Sequence, residues 1–392
     1  MSADAAAVQE PTPADGRTPL VDAEHVELHF PIKQGVLIDR TIGVVHAVDD
    51  VSLTLNEGET LGIVGESGCG KSTLARCMVR LLEPTSGTLR FRGQDITHLG
   101  RRALDPVRRE VQLVFQDPVS SLNPRKRVGQ IVGTPLRLHG MERDKVQARV
   151  RDLLERVGLN PEHVNRFPHE FSGGQRQRIG VARALAVEPR LIVLDEPVSA
   201  LDVSIQAQVV NLLDDLQDDL GLSYVFIAHD LSVVRHVSDR IAVMYLGKLM
   251  EMSPAKELYS KPIHPYTQAL LSALPIPDPN ENRARQRDVI GGEPPNPINP
   301  PSGCRFHTRC PHATDVCSRV EPPLAEYTNG HVAACHHPQN VSEAEIESAT
   351  RSALSPLTAG DDMPGGKEER PPPDAADADA GANADANANG EG

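Results

Sequence analysis

Short runs of consecutive apolar residues alternate with longer amphipathic segments through the middle of the chain. Four segments indicate buried strands, at 59–64, 111–116, 191–196 and 224–229. The third is a continuous apolar run that ends in two carboxylates, which is typical of a strand covered on both faces. Segment 205–220 and the stretch from 124 to 168 instead repeat their apolar residues at helical spacing. Strands that alternate with helices predict an α/β core built on a parallel sheet.

The pattern changes on both sides of this core. Segments 21–30 and 46–55 alternate apolar and polar residues, which predicts half-exposed strands with a loop or hairpin at 31–45 between them. Further short strands are predicted at 88–93 and, as a pair, at 241–250. From Pro262 onward proline becomes frequent, and a block rich in cysteine and histidine follows.

Charge is unevenly distributed along the 392 residues, which carry a net charge of −14. Residues 341–392 hold twelve acidic and three basic residues, so this tail accounts for −9 of the total. The tail and residues 1–20 contain too few apolar residues to bury a core, and both are predicted to be disordered. No strongly basic domain is present, which argues against nucleic acid as the main partner.

No apolar run approaches the roughly 18–20 residues that a membrane helix needs. Residues 1–20 also lack the basic and then apolar pattern of a secretory signal. We therefore expect a cytoplasmic protein, whose contact with a membrane would go through a partner.

One segment matches the phosphate-binding pattern G-x-x-x-x-G-K-[ST]. It consists of Gly65, Glu66, Ser67, Gly68, Cys69, Gly70, Lys71, Ser72 and Thr73. Glycines let the backbone N–H groups turn towards phosphate oxygens, Lys71 reaches the β/γ-phosphates, and the Ser72 hydroxyl can ligate Mg²⁺. A glycine-rich turn can match by chance, but here a buried strand precedes the loop and a helix predicted at 72–82 follows it.

Four polar side chains lie at the carboxyl ends of the predicted buried strands. Asp195 is placed to bind Mg²⁺, and Glu196 to polarise an attacking water. Gln116 can touch both Mg²⁺ and that water, and His229 can hold the γ-phosphate and orient Glu196. Each has an ordinary alternative, because acidic pairs and glutamines at strand ends are often simply solvated and a lone histidine is often structural.

Together these motifs resemble those of the ATP-binding cassette (ABC) ATPases. Segment 171–175, FSGGQ, resembles the signature motif of that family and contains Ser172, Gly173, Gly174 and Gln175. Segment 199–202, ending in Asp202, resembles the D-loop, while Gln116 and His229 resemble the Q-loop glutamine and the switch histidine. A serine and two glycines that open a helix form a second anion site. The resemblance implies that this site meets the ATP of a partner in a head-to-tail dimer.

A narrower resemblance is to the ATPases of oligopeptide, dipeptide and nickel importers. It is carried by 115–118 with 121–124, by 175–180, by 195–204, by 264–271, and by 303–336. It implies uptake of oligopeptides or dipeptides, with nickel or another solute still open. It also implies two membrane permease subunits, a second ATPase subunit (identical or different), an indirect link to a solute-binding protein, and a peripheral position on the cytoplasmic face of the membrane. Phe30 is the best aromatic candidate for stacking on adenine.

The implied fold is an α/β, ABC-type P-loop core with an antiparallel β subdomain, a helical subdomain and a small cysteine-rich extension. We expect a disordered N-terminus at 1–20, an ABC ATPase domain at 21–260 with its helical subdomain at about 118–172, and a C-terminal extension at 261–340. A disordered acidic tail is expected at 341–392.

Four of the six cysteines lie in the C-terminal extension: Cys304, Cys310, Cys317 and Cys335. No C-x-x-C pair is present, so a zinc ribbon fits poorly. Four thiolates at other spacings can hold an iron–sulfur cluster, and the resemblance includes relatives associated with one. A [4Fe–4S] cluster, a zinc site that uses nearby histidines, and free thiols are the three alternatives.

Other functional classes fit less well. Repair ATPases of this type are split by long coiled coils and translation ATPases carry two cassettes, whereas this chain has neither heptads nor a second phosphate loop. Exporter ATPases are usually fused to membrane helices. A metal-binding regulatory protein would leave the ATPase motifs unexplained.

Overall fold

Two β-sheets organise the part of the chain that the computed structural model describes, namely residues 19–34, 40–117, 121–274, 291–328 and 330–358. The expectations of disorder for most of 1–20 and for 359–392 lie outside these residues. The strands are β1 Pro19–Gln34, β2 Arg40–Asn56, β3 Thr60–Val64, β4 Ser86–Phe91, β5 Gln94–Asp95, β6 Val111–Val114, β7 Leu191–Asp195, β8 Ser223–Ile227, β9 Arg240–Tyr245, β10 Lys248–Pro254, β11 Ala325–Thr328 and β12 His331–Ala333.

The larger sheet has the strand order β11-β12-β10-β9-β3-β8-β7-β6. The five strands from β9 to β6 run parallel, which confirms the predicted parallel core. Strand β7 shows why its sequence is a continuous apolar run. Ile192 and Leu194 belong to one buried cluster and Leu191 and Val193 to another, so both faces of the sheet are covered.

The smaller sheet is antiparallel, with the order β2-β1-β4-β5. Strands β1 and β2 pair along their whole length, from Pro19 opposite Asn56 to Gln34 opposite Arg40. Segment 31–45, for which the sequence predicts a loop or a hairpin, is therefore a hairpin. Its connection at 35–39 lies outside the described residues.

Helices cover the larger sheet and form a separate layer beside it. They are α1 Lys71–Met78, α2 Asp105–Glu110, α3 Val128–Leu138, α4 Arg143–Arg156, α5 Gly173–Leu185, α6 Val203–Leu220, α7 Leu231–Val237, α8 Ala255–Ser260, α9 Pro265–Ser272, α10 Asp315–Arg319 and α11 Glu343–Thr358. In the predicted helical segment, α3 and α4 pack together through a buried apolar stripe that includes Val132, Val150 and Leu153. In the described residues, no helix is long and apolar enough to cross a membrane.

The C-terminal extension completes the larger sheet instead of standing apart from it. Strand β12 pairs with β10, with Ala333 opposite Glu251. The buried Glu251 carboxylate accepts hydrogen bonds from the backbone N–H of Ile263 at 2.7 Å and of His264 at 2.9 Å, and it lies 2.7 Å from the His331 imidazole. A buried carboxylate needs such partners, so these contacts fix the start of the extension on the core.

The tail expected to be disordered from 341 begins with a helix, α11, and this corrects the prediction for its first part. Ser342 explains the helix locally, because its side chain and backbone pair reciprocally with Glu345 in a capping box. Ala349 on this helix is 1% exposed, so the helix also has a packed face.

Candidate functional site

The phosphate-pattern segment forms a tight loop between β3 and α1. Gly65 and Gly70 have φ values of +151° and +106°, in the region that L side chains rarely adopt. A Cβ atom at Gly65 would lie 2.2 Å from the carbonyl oxygen of Met244, and one at Gly70 would lie 2.0 Å from that of Ala47. Both glycines are therefore required by close backbone contact as well as by conformation.

Lys71 is buried at the start of α1 and is held by the loop itself. Its ammonium donates to the carbonyl of Gly65 at 2.7 Å and to the carbonyl of Glu66 at 2.9 Å. The Cys69 sulfur lies 3.7 Å from the same ammonium, and burial raises the pKa of this thiol. The first two residues of the loop thus hold the lysine ammonium through their carbonyls.

Asp195 ends β7 directly beside the loop. The Ser72 hydroxyl donates to its Oδ1 at 2.6 Å, and Arg76 lies 3.9 Å from its Oδ2. Asp195 is fully buried, yet Oδ2 has no hydrogen-bond partner among the described residues. A hydroxyl and a half-satisfied buried carboxylate at 2.6 Å are oxygen ligands of the kind that Mg²⁺ prefers, so these residues fit that ion.

Glu196 lies one residue further, where three strand ends meet. Its carboxylate accepts a hydrogen bond from the Gln116 amide at 2.7 Å and lies 3.8 Å from His229. Parallel pairing explains the convergence, because β6, β7 and β8 are adjacent and each residue follows the carboxyl end of its strand. Glu196 has a φ of +47°, which is unusual for a residue with a side chain and typical of functional sites.

The FSGGQ segment begins helix α5. Ser172 is its N-cap: the hydroxyl accepts from the Gln175 N–H at 3.3 Å, and the Gln175 side chain accepts from the Ser172 N–H at 3.1 Å. Ser172, Gly173 and Gln175 are exposed, whereas Gly174 is buried so closely against Ile205 that a Cβ atom would lie 2.4 Å from it. The helix N-terminus therefore faces solvent.

Asp202, the candidate D-loop carboxylate, occupies the N-cap position of α6. Like Ser172 and Gly173, it is exposed. Its side chain makes no capping hydrogen bond to α6. The loop before it is held by the Gln206 amide, which donates to the carbonyls of Val198 and Leu201 at 3.0 Å each.

One contact of the phosphate loop was not predicted from the sequence. Arg309, in the C-terminal extension, donates to the Glu66 carboxylate at 2.7 Å and to the Tyr245 hydroxyl at 3.2 Å. Tyr266, also in the extension, accepts from the Glu66 backbone N–H at 2.9 Å. No motif relates positions 66 and 309, so only the three-dimensional fold reveals the contact.

The four cysteines of the extension lie near one another. Burial raises the pKa of Cys304 to about 11 and of Cys335 to about 12, and mutual repulsion with the neighbouring thiols adds to both shifts. Cys304 and Cys317 are also joined by a backbone hydrogen bond of 2.8 Å. In the described residues, one trio of possible metal ligands has all its ligand atoms within 4.8 Å of one another, namely His29, His46 and Asp49. The four cysteines do not form such a trio.

Most histidines near the cysteines have other partners. His331 contacts Glu251, and His307 contacts the Cys304 carbonyl. His336 lies 2.9 Å from the Val320 carbonyl, and His337 lies 2.7 Å from the Thr314 hydroxyl. Each of these four imidazoles therefore has a partner at one of its two ring nitrogens.

Comparison with known proteins agrees with this geometry. Residues 48–199 match the family described as ABC transporter, and residues 250–317 match the C-terminal region of oligopeptide/dipeptide transporters. One similar solved structure is titled as a dimeric post-hydrolysis state of the ATP-binding cassette MJ0796 bound to ADP and Pi. It is 28% identical in sequence, with a TM-score of 0.54, and the match spans 60% of this chain and 98% of that chain. The fold and the loop thus define an ABC ATPase.

Two curated relatives narrow the assignment. The oligopeptide transport ATP-binding protein AppF of Bacillus subtilis is 55% identical over 81% of this chain and 97% of its own length. OppF of Escherichia coli, named in the same way, is 52% identical over 79% and 94%. The chain belongs to the oligopeptide/dipeptide branch of the ABC transporter ATPases, which confirms the family and the fold expected from the sequence.

Proposed function

We propose that this chain is the ATP-hydrolysing subunit of an ABC importer that drives uptake of oligopeptides across the cell membrane. The observation that carries the proposal is the convergence of Glu196, Gln116 and His229 beside the phosphate loop. Relatives at 52–55% identity are named oligopeptide transport ATP-binding proteins, which supports the peptide as the transported solute.

The proposed hydrolytic roles follow from these contacts. Lys71 exchanges its two backbone carbonyls for the β/γ-phosphates of ATP. Ser72, Asp195 and Gln116 would hold Mg²⁺, which neutralises charge on the phosphates when bound. Glu196 accepts a proton from the attacking water, and its contact with Gln116 fixes the orientation of its carboxylate. His229 is proposed to contact the γ-phosphate, since its side chain is 58% exposed and its imidazole lies 3.8 Å from the Glu196 carboxylate.

The second ATP contact is proposed to come from a partner subunit. Ser172 and Gly173 are exposed at a helix N-terminus, a position suited to bind phosphate from another chain. The exposed Asp202 lies at the start of α6, which packs against α5 through Gly174 and Ile205. We infer a head-to-tail dimer, with an identical or a related subunit, that encloses two ATP molecules.

Two membrane permease subunits complete the proposed complex, and an extracytoplasmic solute-binding protein delivers the peptide to them. The ATPase would then lie on the cytoplasmic face of the membrane, held there by the permease. The test is co-purification with the permease chains from membranes, followed by reconstitution in vesicles with a peptide-loaded solute-binding protein. Peptide-stimulated ATP hydrolysis supports the proposal. Stimulation by nickel alone, or no association with permease chains, would contradict it.

We further propose that Cys304, Cys310, Cys317 and Cys335 bind a [4Fe–4S] cluster that stabilises the extension. Four cysteine thiolates can hold such a cluster, and these four thiols lie close enough to interact electrostatically. Zinc, with nearby histidines as further ligands, is the alternative. Anaerobic purification with iron, sulfide and zinc analysis tests this. Colourless protein with zinc would refute the cluster, and metal-free protein whose Cys→Ser variants fold normally would refute any ligand role.

A further inference from the structure

The C-terminal extension contacts the nucleotide loop through a buried arginine. The Arg309 side chain is 7% exposed, and its guanidinium lies 2.7 Å from a Glu66 carboxylate oxygen. The same guanidinium lies 5.8 Å from the centre of the Tyr245 ring, and its Nε donates to the Gly291 carbonyl at 3.1 Å. All of these contacts fix the orientation of the planar guanidinium, so Arg309 presents a rigid donor to the loop.

Glu66 is the second residue of the phosphate loop, and it is held from three sides. Its carboxylate contacts Arg309, its N–H donates to the Tyr266 hydroxyl, and its carbonyl accepts from Lys71. Two of these three partners belong to the extension. The conformation of the loop at this residue is therefore set partly by residues 200 and 243 positions later in the chain.

The charge of Glu66 gives this contact a consequence for binding. An unpaired carboxylate in this loop would repel the triphosphate of ATP, because like charges at short range in a partly buried site interact strongly. Arg309 both neutralises the carboxylate and fixes its direction. We propose that Arg309 is a positioning residue for ATP binding, which acts through Glu66 to hold the phosphate loop in its binding conformation. The proposal rests on the ATPase function proposed above.

The backbone around Arg309 suits this role. Residues His307–Arg309 form a short 3₁₀ turn in which the Arg309 N–H donates to the Phe306 carbonyl at 3.0 Å. The Phe306 ring is 1% exposed and packs against Tyr245 and Tyr266, with ring centres 5.4 and 5.1 Å apart. An aromatic cluster thus anchors the turn, and the Arg309 side chain leaves it towards the loop.

The test measures ATP binding by calorimetry and ATP hydrolysis on the full chain. Arg309→Gln is expected to raise the Kd and the KM for ATP about tenfold, the loss typical of a charge-assisted contact, with kcat within about twofold of wild type. Arg309→Lys keeps the charge and should recover part of the affinity. Arg319→Gln is the matched control, because Arg319 lies in the same extension, is 76% exposed and pairs only with Asp315 among the described ion pairs.

Two further measurements separate positioning from a general effect on folding. In a Glu66→Gln background, Arg309→Gln should change the Kd by less than about twofold, since the charge to be neutralised is gone. The Tm of Arg309→Gln, measured without ATP, should stay within a few degrees of wild type, whereas a general folding defect would lower it further.

An Arg309→Gln Kd within twofold of wild type would refute the inference. An equal loss in the Glu66→Gln background would also refute it, because Arg309 would then act through overall folding. If Arg309→Gln does not fold, Arg309→Lys is compared in the wild-type and Glu66→Gln backgrounds, and an equal change of Kd in both would refute the inference. Wild-type protein that binds no ATP would instead contradict the proposed function.

Discussion

Replacing Glu196 with glutamine separates hydrolysis from binding. The amide has the shape of the carboxylate, and its oxygen can still accept the Gln116 hydrogen bond that now measures 2.7 Å. It cannot accept a proton from water at neutral pH. Loss of a general base typically lowers the rate about 10²–10⁴-fold, which corresponds to about 3–5.5 kcal/mol on the barrier.

The expected effect of Glu196→Gln on stability is much smaller. Glutamate and glutamine at position 196 both adopt the same positive φ, so backbone strain does not change the difference in stability between the variant and wild type. A hydrogen bond to a charged acceptor contributes roughly 1 kcal/mol more than one to a neutral acceptor, which shifts the Tm by about 2–4 °C in a domain of this size. Removing a negative charge beside Asp195 should leave ATP affinity unchanged or increase it.

The assay combines single-turnover hydrolysis, ATP binding and measurement of mass by light scattering with ATP present. We expect slow hydrolysis, normal or tighter binding and an ATP-dependent dimer that persists. Glu196→Asp is a useful comparison, because it keeps the base but withdraws it from Gln116. Steady-state hydrolysis by Glu196→Gln within threefold of wild type would refute the catalytic role of this carboxylate.

Three further predictions concern binding, dimerisation and the chain ends. Lys71→Ala should weaken ATP binding by at least about tenfold, because a charge-assisted contact with the phosphates is lost, and an unchanged Kd in calorimetry would contradict this. Gly173→Asp should still bind ATP but fail to dimerise with it in light scattering, since its carboxylate would face the partner's phosphate; loss of ATP binding would contradict the assignment in trans. Removal of 1–18 and 359–392 should leave ATP hydrolysis unchanged, and reduced hydrolysis by that variant would contradict the prediction. Truncation at 341 also removes α11 and should lower the Tm.

Local patterns were sufficient to predict the parallel core. The run at 191–194 is apolar at every position, as a strand buried on both faces requires. The same reasoning placed Gln116, Asp195 and His229 at one edge of the sheet, since each follows a strand. The capped helix α11 was missed because overall composition outweighed one short local motif, Ser342 with Glu345.

Contacts between distant segments could not be predicted in this way. Arg309 and Glu66 are separated by 243 positions, and neither residue stands in a pattern that names the other. The pairing of β12 with β10 was likewise hidden, because a three-residue strand has too few positions to show a period. The proximity of the four cysteine side chains is also a property of packing, which residue counts between cysteines do not determine.

The strand that the extension adds to the main sheet has a consequence during synthesis on the ribosome. Strand β10 ends at Pro254, and its partner β12 is complete only at Ala333, 79 residues later. At about 5–20 residues per second, the edge of β10 stays unpaired for roughly 4–16 s. An open strand edge is a template for pairing with other chains, so the nascent cassette passes through an interval of aggregation risk. Chains interrupted between these two positions would keep that edge permanently and should require chaperones to remain dispersed.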